Sequence, residues 1–194
     1  ISSDEELGNF FANKWDDTVY IMEEFINAEI NSYDAIIDSH GNPIFEAGNV
    51  TPMSIMDIVN NADNALFYIV KDLADDTRHL GRETAKSFGV RSRFVHFEFF
   101  RLLSDHEGLG KKGDLMALEV NMRPSGGPTP DMINFAYNIN CYQYYADMMI
   151  YDKLRHKTKT SPAFCVYVGR WKEHPYAHTH QEILEHWDKY LKVS

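Results

Sequence analysis

The sequence predicts an α+β domain, a mostly antiparallel sheet packed with helices. Two observations carry this prediction. Short β-rich runs occur in pairs joined by tight turns, and longer segments with helical periodicity separate those pairs. No repeat or low-complexity tract interrupts the pattern.

The elements follow in order. Ser3 with Glu6 three residues later fits a capping box, which predicts a short helix through about Lys14. Residues 17–26, "DTVYIMEEFI", are β-rich and apolar with two acids near their end. Residues 30–50 alternate around Ser39-His40-Gly41-Asn42 and read as a hairpin. Residues 51–61, "TPMSIMDIVNN", are less regular and read as a loop over a site. Residues 65–88 follow a helical period, with Leu66, Ile69, Val70, Leu73, Leu80 and Ala85 as the buried stripe, a break near Asp75 and Asp76, and Gly89 as the C-terminal stop. A long hairpin follows: "VRSRFVHFEFFRLL", the turn "SDHEGLGKKGD", then "LMALEVNMR". Thr129 can cap a helix with Pro130 at its first position, running to about Leu154. After a basic connector, "AFCVYVGRW" reads as a strand and "HTHQEILEHWDKYL" as a closing helix. These last elements, within 155–194, are expected to pack on the same domain as 1–154.

Bulk properties narrow the function. The 194 residues are enough for one real core, and 44% hydrophobic with 25% charged residues is the balance of a globular chain. No apolar run reaches the roughly 18–20 residues of a membrane helix, and no secretory signal is visible. Cys141 and Cys165 make neither a disulfide framework nor a metal-ligand spacing, which points to a reducing compartment, the cytoplasm. A net charge of −10 argues against a nucleic-acid surface. A bound polyanion such as a nucleotide would need a metal ion or a local basic cluster to offset that field. The first residue is Ile1, so the chain is expected to be a processed product or part of something longer.

The long hairpin carries the chemistry. Folded symmetrically about Gly108-Leu109, it sets Glu98 opposite Glu119 and His96 opposite Asn121, with Asn121 on the face of Glu119. The other face then pairs Phe97 with Val120 and Phe99 with Leu118. Directly opposed carboxylates have Cβ atoms about 5 Å apart. Their repulsion is roughly 3 kcal/mol at an effective dielectric near 20. A cation side chain, a shared proton or a divalent metal relieves it. Arg91, Arg93 or Arg123 can supply the first and would make the pair structural. The oxygen-only set Glu98, Glu119 and Asn121 suits magnesium or manganese rather than zinc. Arg123 follows, and "SGGPTP" then presents backbone N–H groups ahead of a helix N-terminus, a combination that favours an anion.

"FVHFEFF" followed on the next strand by "LEVNMRPSGG" resembles the C-terminal half of the ATP-grasp superfamily. The resemblance implies that Glu98 is the first metal acid, that Glu119 and Asn121 are the Glu-x-Asn pair holding the magnesium (or manganese) of MgATP, and that Arg123 faces phosphate or substrate. Upstream, "VYIMEEFINAEINSYD" resembles that family's strand-and-hinge segment. There Glu23, Glu24 and Ile26 would border adenine and Glu29 would accept from the ribose hydroxyls. Ser125, Gly126 and Gly127 would steady the transferring phosphate or a substrate carboxylate. The resemblance covers roughly residues 4–151. It implies a MgATP-dependent ligase module that activates a small-molecule carboxylate as an acyl phosphate for attack by an amine or thiol.

The family's phosphate-binding lysines and N-terminal α/β domain have no counterpart here, since no lysine precedes Lys14. Residues 1–154 therefore resemble a partial module that needs an N-terminal region of the same protein, and the chain alone is expected to be catalytically incompetent. The alternative is a degenerate ATP-grasp fold serving as a non-catalytic interaction or assembly subunit. A kinase without the ligation step is a third reading. The sequence allows a homodimer and leaves oligomeric state open. His174, His178, His180 and His186 in the tail admit a zinc site, but a polar loop entering a helix capped near Thr179 explains them better.

Overall fold

The protein is described by a computed structural model covering residues 1, 3–14, 17–52, 64–155, 158, 161–172 and 174–193. Its centre is a seven-stranded sheet in which every pairing is antiparallel. The strands are β1 (Ala28–Ile37), β2 (Pro43–Ala47), β3 (Asn49–Thr51), β4 (Ala65–Ile69), β5 (Arg93–Leu102), β6 (Leu115–Asn121) and β7 (Cys165–Gly169). They lie in the order β6-β5-β1-β3-β4-β7, with β2 also on β1. The helices are α1 (Asp4–Asn13), α2 (Asp75–Ser87), α3 (Thr129–Tyr137), α4 (Cys141–Tyr151) and α5 (His180–Trp187). The α+β class is as the sequence predicts. No helix among the described residues is long and apolar enough to cross a membrane.

Alternation along β1 and β5 builds two cores on opposite faces of the sheet. Even-numbered Ile36 and Phe94 join Ile69 beneath α3 and α4, where Met132, Ile133, Cys141 and Met148 are buried. Odd-numbered Tyr33, Ala35, Ile37, Val95, Phe97 and Phe99 pack with Leu73, Ala85 and Val90 on the α2 side. The periodicity of β1 thus decides which helix layer each residue meets.

Several boundaries differ from the sequence reading. Residues 65–69 form β4 and not the start of a helix; Leu66, Ile69, Val70 and Leu73 fit a helical period, but backbone pairing with β3 and β7 overrides it. The helix proper begins at Asp75, and Gly89 follows it at φ +61. The predicted 129–154 helix is two helices. Asn138 turns left-handed at φ 51 to end α3, and the Asn140 side chain accepts from the Gln143 N–H to start α4. Pro128, not Thr129, occupies the cap position of α3. Residues 17–27 carry no strand despite their composition: Val19 is 98% and Ile21 81% exposed, with no neighbouring strand to pair them among the described residues. Ser3 caps α1 by accepting from Glu6 N–H, and Thr179 caps α5 in a reciprocal capping box with Glu182. The loop read over a site at 51–61 lies mostly outside the described residues; residues 46–51, which border it, belong to β2, Gly48 and β3.

Candidate metal and phosphate site on the β5–β6 hairpin

The register brings the predicted acids together. Glu98 is the cross-strand partner of Glu119, His96 of Asn121 and Phe97 of Val120. Beyond Glu98 the register shifts by one, so Phe99 faces Ala117 and not Leu118 as the symmetric fold requires. The extra residue is Leu118, which is 40% exposed. This bulge has a packing reason. It lets Leu115 and Val120, odd and even in number, both pack on the α2-side core while Glu119 and Asn121 stay on the face of Glu98. A regular strand would put Leu115 on the same face as the acids.

None of the arginines offered as a neutraliser reaches the pair. Arg93 is odd-numbered in β5 and falls on the other face. Arg91 donates to the Val90 carbonyl, and Arg123 to the carbonyl of Pro124 at 2.9 Å. The cation beside Glu98 is His96 instead. Its Nε2 lies 3.0 Å from Glu98 Oε1 and its Nδ1 2.9 Å from Asp34 Oδ1. Asp34 is fully buried on β1, and its second oxygen accepts from the Ser32 hydroxyl at 2.5 Å. Ser32 Oγ in turn accepts the Asn49 N–H at 2.8 Å. Burial opposes a charge on His96, but the hydrogen bonds and charges of Asp34 and Glu98 outweigh it and push the imidazole up to about 10. His96 is therefore an imidazolium at neutral pH.

Sequence reasoning missed Asp34 and Ser32. The available signal was an aspartate set in the apolar run "YDAII", where only a partnered carboxylate is tolerated.

Glu119 and Asn121 make no side-chain hydrogen bond or ion pair among the described residues, and Glu119 is exposed. With Glu98 they form an open face of two carboxylates and an amide. No group of three or more His, Cys, Asp or Glu side chains among the described residues is arranged to hold a metal ion by itself. This donor set fits magnesium, which keeps waters and substrate oxygens in its shell and needs only one or two carboxylates; it does not fit a closed zinc cage.

The other expected residues are spread along the hairpin's surroundings. Arg123 lies two residues beyond the end of β6 and is exposed. Ser125 is half-buried and Gly126 and Gly127 are exposed, leading through Gly127 at φ +57 into the N-terminus of α3. That terminus already holds Asp131, which accepts from the Tyr142 hydroxyl. Glu23, Glu24 and Ile26 lie in the strandless segment before β1, and the Glu24 carboxylate is 3.4 Å from His106 Nε2 in the hairpin turn.

Glu29 is not brought to the acids. It pairs with Arg101, an odd position of β5, and so sits on the α2 side of the sheet, where it accepts from Asn31 Nδ2 at 3.0 Å. Arg101 there joins Asn31 of β1, the Gly113 carbonyl, and Asp76 and Thr77 at the start of α2. The surroundings of Glu29 are a structural junction.

No protein-family model matches the chain, and no curated protein sequence does. Solved structures do match. Phosphoribosylglycinamide synthetase from Anaerococcus prevotii superposes with a TM-score of 0.49 at 21% identity, over 76% of this chain and 36% of that one. The biotin carboxylase domain of a thermophilic 2-oxoglutarate carboxylase, bound to bicarbonate, gives 0.48 at 15% identity, over 80% and 34%. The chain spans about a third of the length of either protein. These values describe a partial likeness of shape, and the function is argued from the hairpin's own residues.

Proposed function

We propose that the chain is the metal-binding part of an ATP-grasp-type ligase module that handles MgATP. The observation that supports this reading is the direct opposition of Glu98 and Glu119, with Asn121 on the same face and no arginine between them. Glu98, Glu119 and Asn121 would hold magnesium or manganese, which neutralises phosphate charge during transfer. Arg123 and the Ser125–Gly127 turn steady the transferring phosphate or a substrate carboxylate. Glu23, Glu24 and Ile26 border the base. Glu29 has no part in this set, because it faces the opposite side of the sheet. The reaction class is activation of a small-molecule carboxylate as an acyl phosphate, followed by attack of an amine or thiol.

Glu119→Gln tests the reading. In the protein that carries this chain, magnesium-dependent phosphate release from ATP should fall at least on the order of 100-fold, since even outer-shell partners of a metal are worth about 10–100-fold. Unchanged metal-dependent hydrolysis would remove the metal assignment. Product analysis with carboxylate and amine substrates separates ligation from simple phosphoryl transfer.

A further inference from the structure

We propose that the buried pair Asp34 and His96 is a positioning device that fixes one carboxylate oxygen of Glu98, leaving the other oxygen alone to address a divalent cation. The inference rests on the metal reading above and assigns a role to two residues that reading does not use.

The geometry is a continuous chain across three strands. The Asn49 N–H of β3 donates to Ser32 Oγ, the Ser32 hydroxyl to Asp34 on β1, and the imidazole of His96 on β5 bridges Asp34 and Glu98. Carboxylates are acceptors only, so a ring with a carboxylate at each nitrogen donates from both. His96 is 5% exposed and Asp34 fully buried, so the ring has no freedom to turn away. Glu98 is the one member that reaches solvent, with a side chain 26% exposed. The chain therefore runs from backbone to the edge of the open acid face and ends on a ligand. Glu119 and Asn121, across the hairpin, have no such support among the described residues. The face combines one ligand held in advance with two that adjust. A ligand oriented by a buried second partner loses less freedom on binding than a loose one.

Two neutral replacements of His96 separate positioning from structural support, because each keeps one half of the bridge. His96→Gln can place its amide nitrogen where Nε2 stood and still donate to Glu98. His96→Asn can place its nitrogen where Nδ1 stood and donate only to Asp34. Both remove the same positive charge, so the charge effect cancels between them. The probe is Mn2+ alone, with free ion counted by electron paramagnetic resonance on the 194-residue chain, alongside thermal melting.

The expected result is Mn2+ binding on the order of 10-fold tighter in His96→Gln than in His96→Asn. Melting should run in the opposite order, because only the Asn variant keeps a donor on the Asp34 oxygen that faced Nδ1, while the Ser32 hydroxyl serves the other oxygen in both. Equal Mn2+ affinities, or affinities that follow the melting order, overturn the inference. Should either substitution unfold the chain, the same comparison is made in an Asp34→Asn background, where no buried charge is left alone. Glu119→Gln is the control for the underlying reading. If it weakens Mn2+ binding while the two position-96 variants bind equally, only the positioning role falls. If it leaves Mn2+ binding unchanged, or if the unsubstituted chain shows no saturable binding, the metal reading and this inference fall together.

Discussion

Asp34→Ala is expected to destabilise the fold by about 3–5 kcal/mol, the usual cost of removing one partner of a buried ion pair. For a chain of this size that is a drop in melting temperature on the order of 10 °C. The loss has two parts. His96 is left in the core with no acceptor at Nδ1, and the Ser32 hydroxyl loses its acceptor at 2.5 Å. Asp34→Asn should cost much less, since its amide oxygen still accepts from the ring. The pH dependence gives an independent check. The His96 pKa is raised from 6.5 to about 10 in the folded protein. The stability that the imidazolium supplies is therefore complete below about 6.5, and it is lost as pH rises toward about 10. The melting-temperature gap between the unsubstituted protein and Asp34→Asn should narrow over that window. A gap that stays constant from pH 6 to 10 would show that the charge on His96 contributes nothing.

The same residues show what the sequence could and could not reveal. Alternation makes the shared face of Glu98 and Glu119 readable, but the turn centres on Gly108, where His106 bridges Gly110, and not on Gly108-Leu109; the bulge at Leu118 is what brings Glu119 opposite Glu98. That bulge leaves no local trace, because residues 115–118, "LMAL", run apolar without a break and no glycine marks the extra one. Strand β4 was read as helix because its apolar residues satisfy both periods; its partner β7 lies a hundred residues on, and that pairing has no local trace. The bond between Asp34 and His96 spans 62 positions in sequence, so His96 reads as a hydrogen-bonded neighbour of the acids while Asp34, taken alone, looks like an ordinary polar residue in a strand. The cation beside Glu98 is none of the three arginines offered as alternatives but a histidine already in the quoted motif, held in place by Asp34 behind it. Local pattern settled faces. It could not settle which distant side chain completes a buried charge.

Gly81→Ala is the second large effect, and it sets two principles against each other. Alanine is favoured over glycine in a helix interior by about 1 kcal/mol, so propensity alone predicts a stabilised α2. Packing predicts the reverse. A Cβ at Gly81 would lie 2.2 Å from Cγ of Tyr33 and 2.5–2.6 Å from both Cδ atoms. The ring cannot give way. Tyr33 is fully buried, it stacks on Phe97, and its hydroxyl donates to Glu46 at 2.8 Å. Glu46 is itself clamped by Arg82 from α2, with Nε at 2.8 Å from Oε1. The helix must therefore lift off the sheet, which stretches that clamp and opens the α2-side core. Overpacking of this kind costs about 1–3 kcal/mol, and a contact this short belongs at the upper end. The net expectation is a loss of about 2 kcal/mol after the helix gain is set against it. Tyr33→Ala, which removes Cγ and both Cδ atoms, should be destabilising alone yet rescue Gly81→Ala in the double variant, giving a favourable coupling energy of about 1–3 kcal/mol. If Gly81→Ala raises the melting temperature, or if the two effects simply add, α2 does not seat on Tyr33 as described.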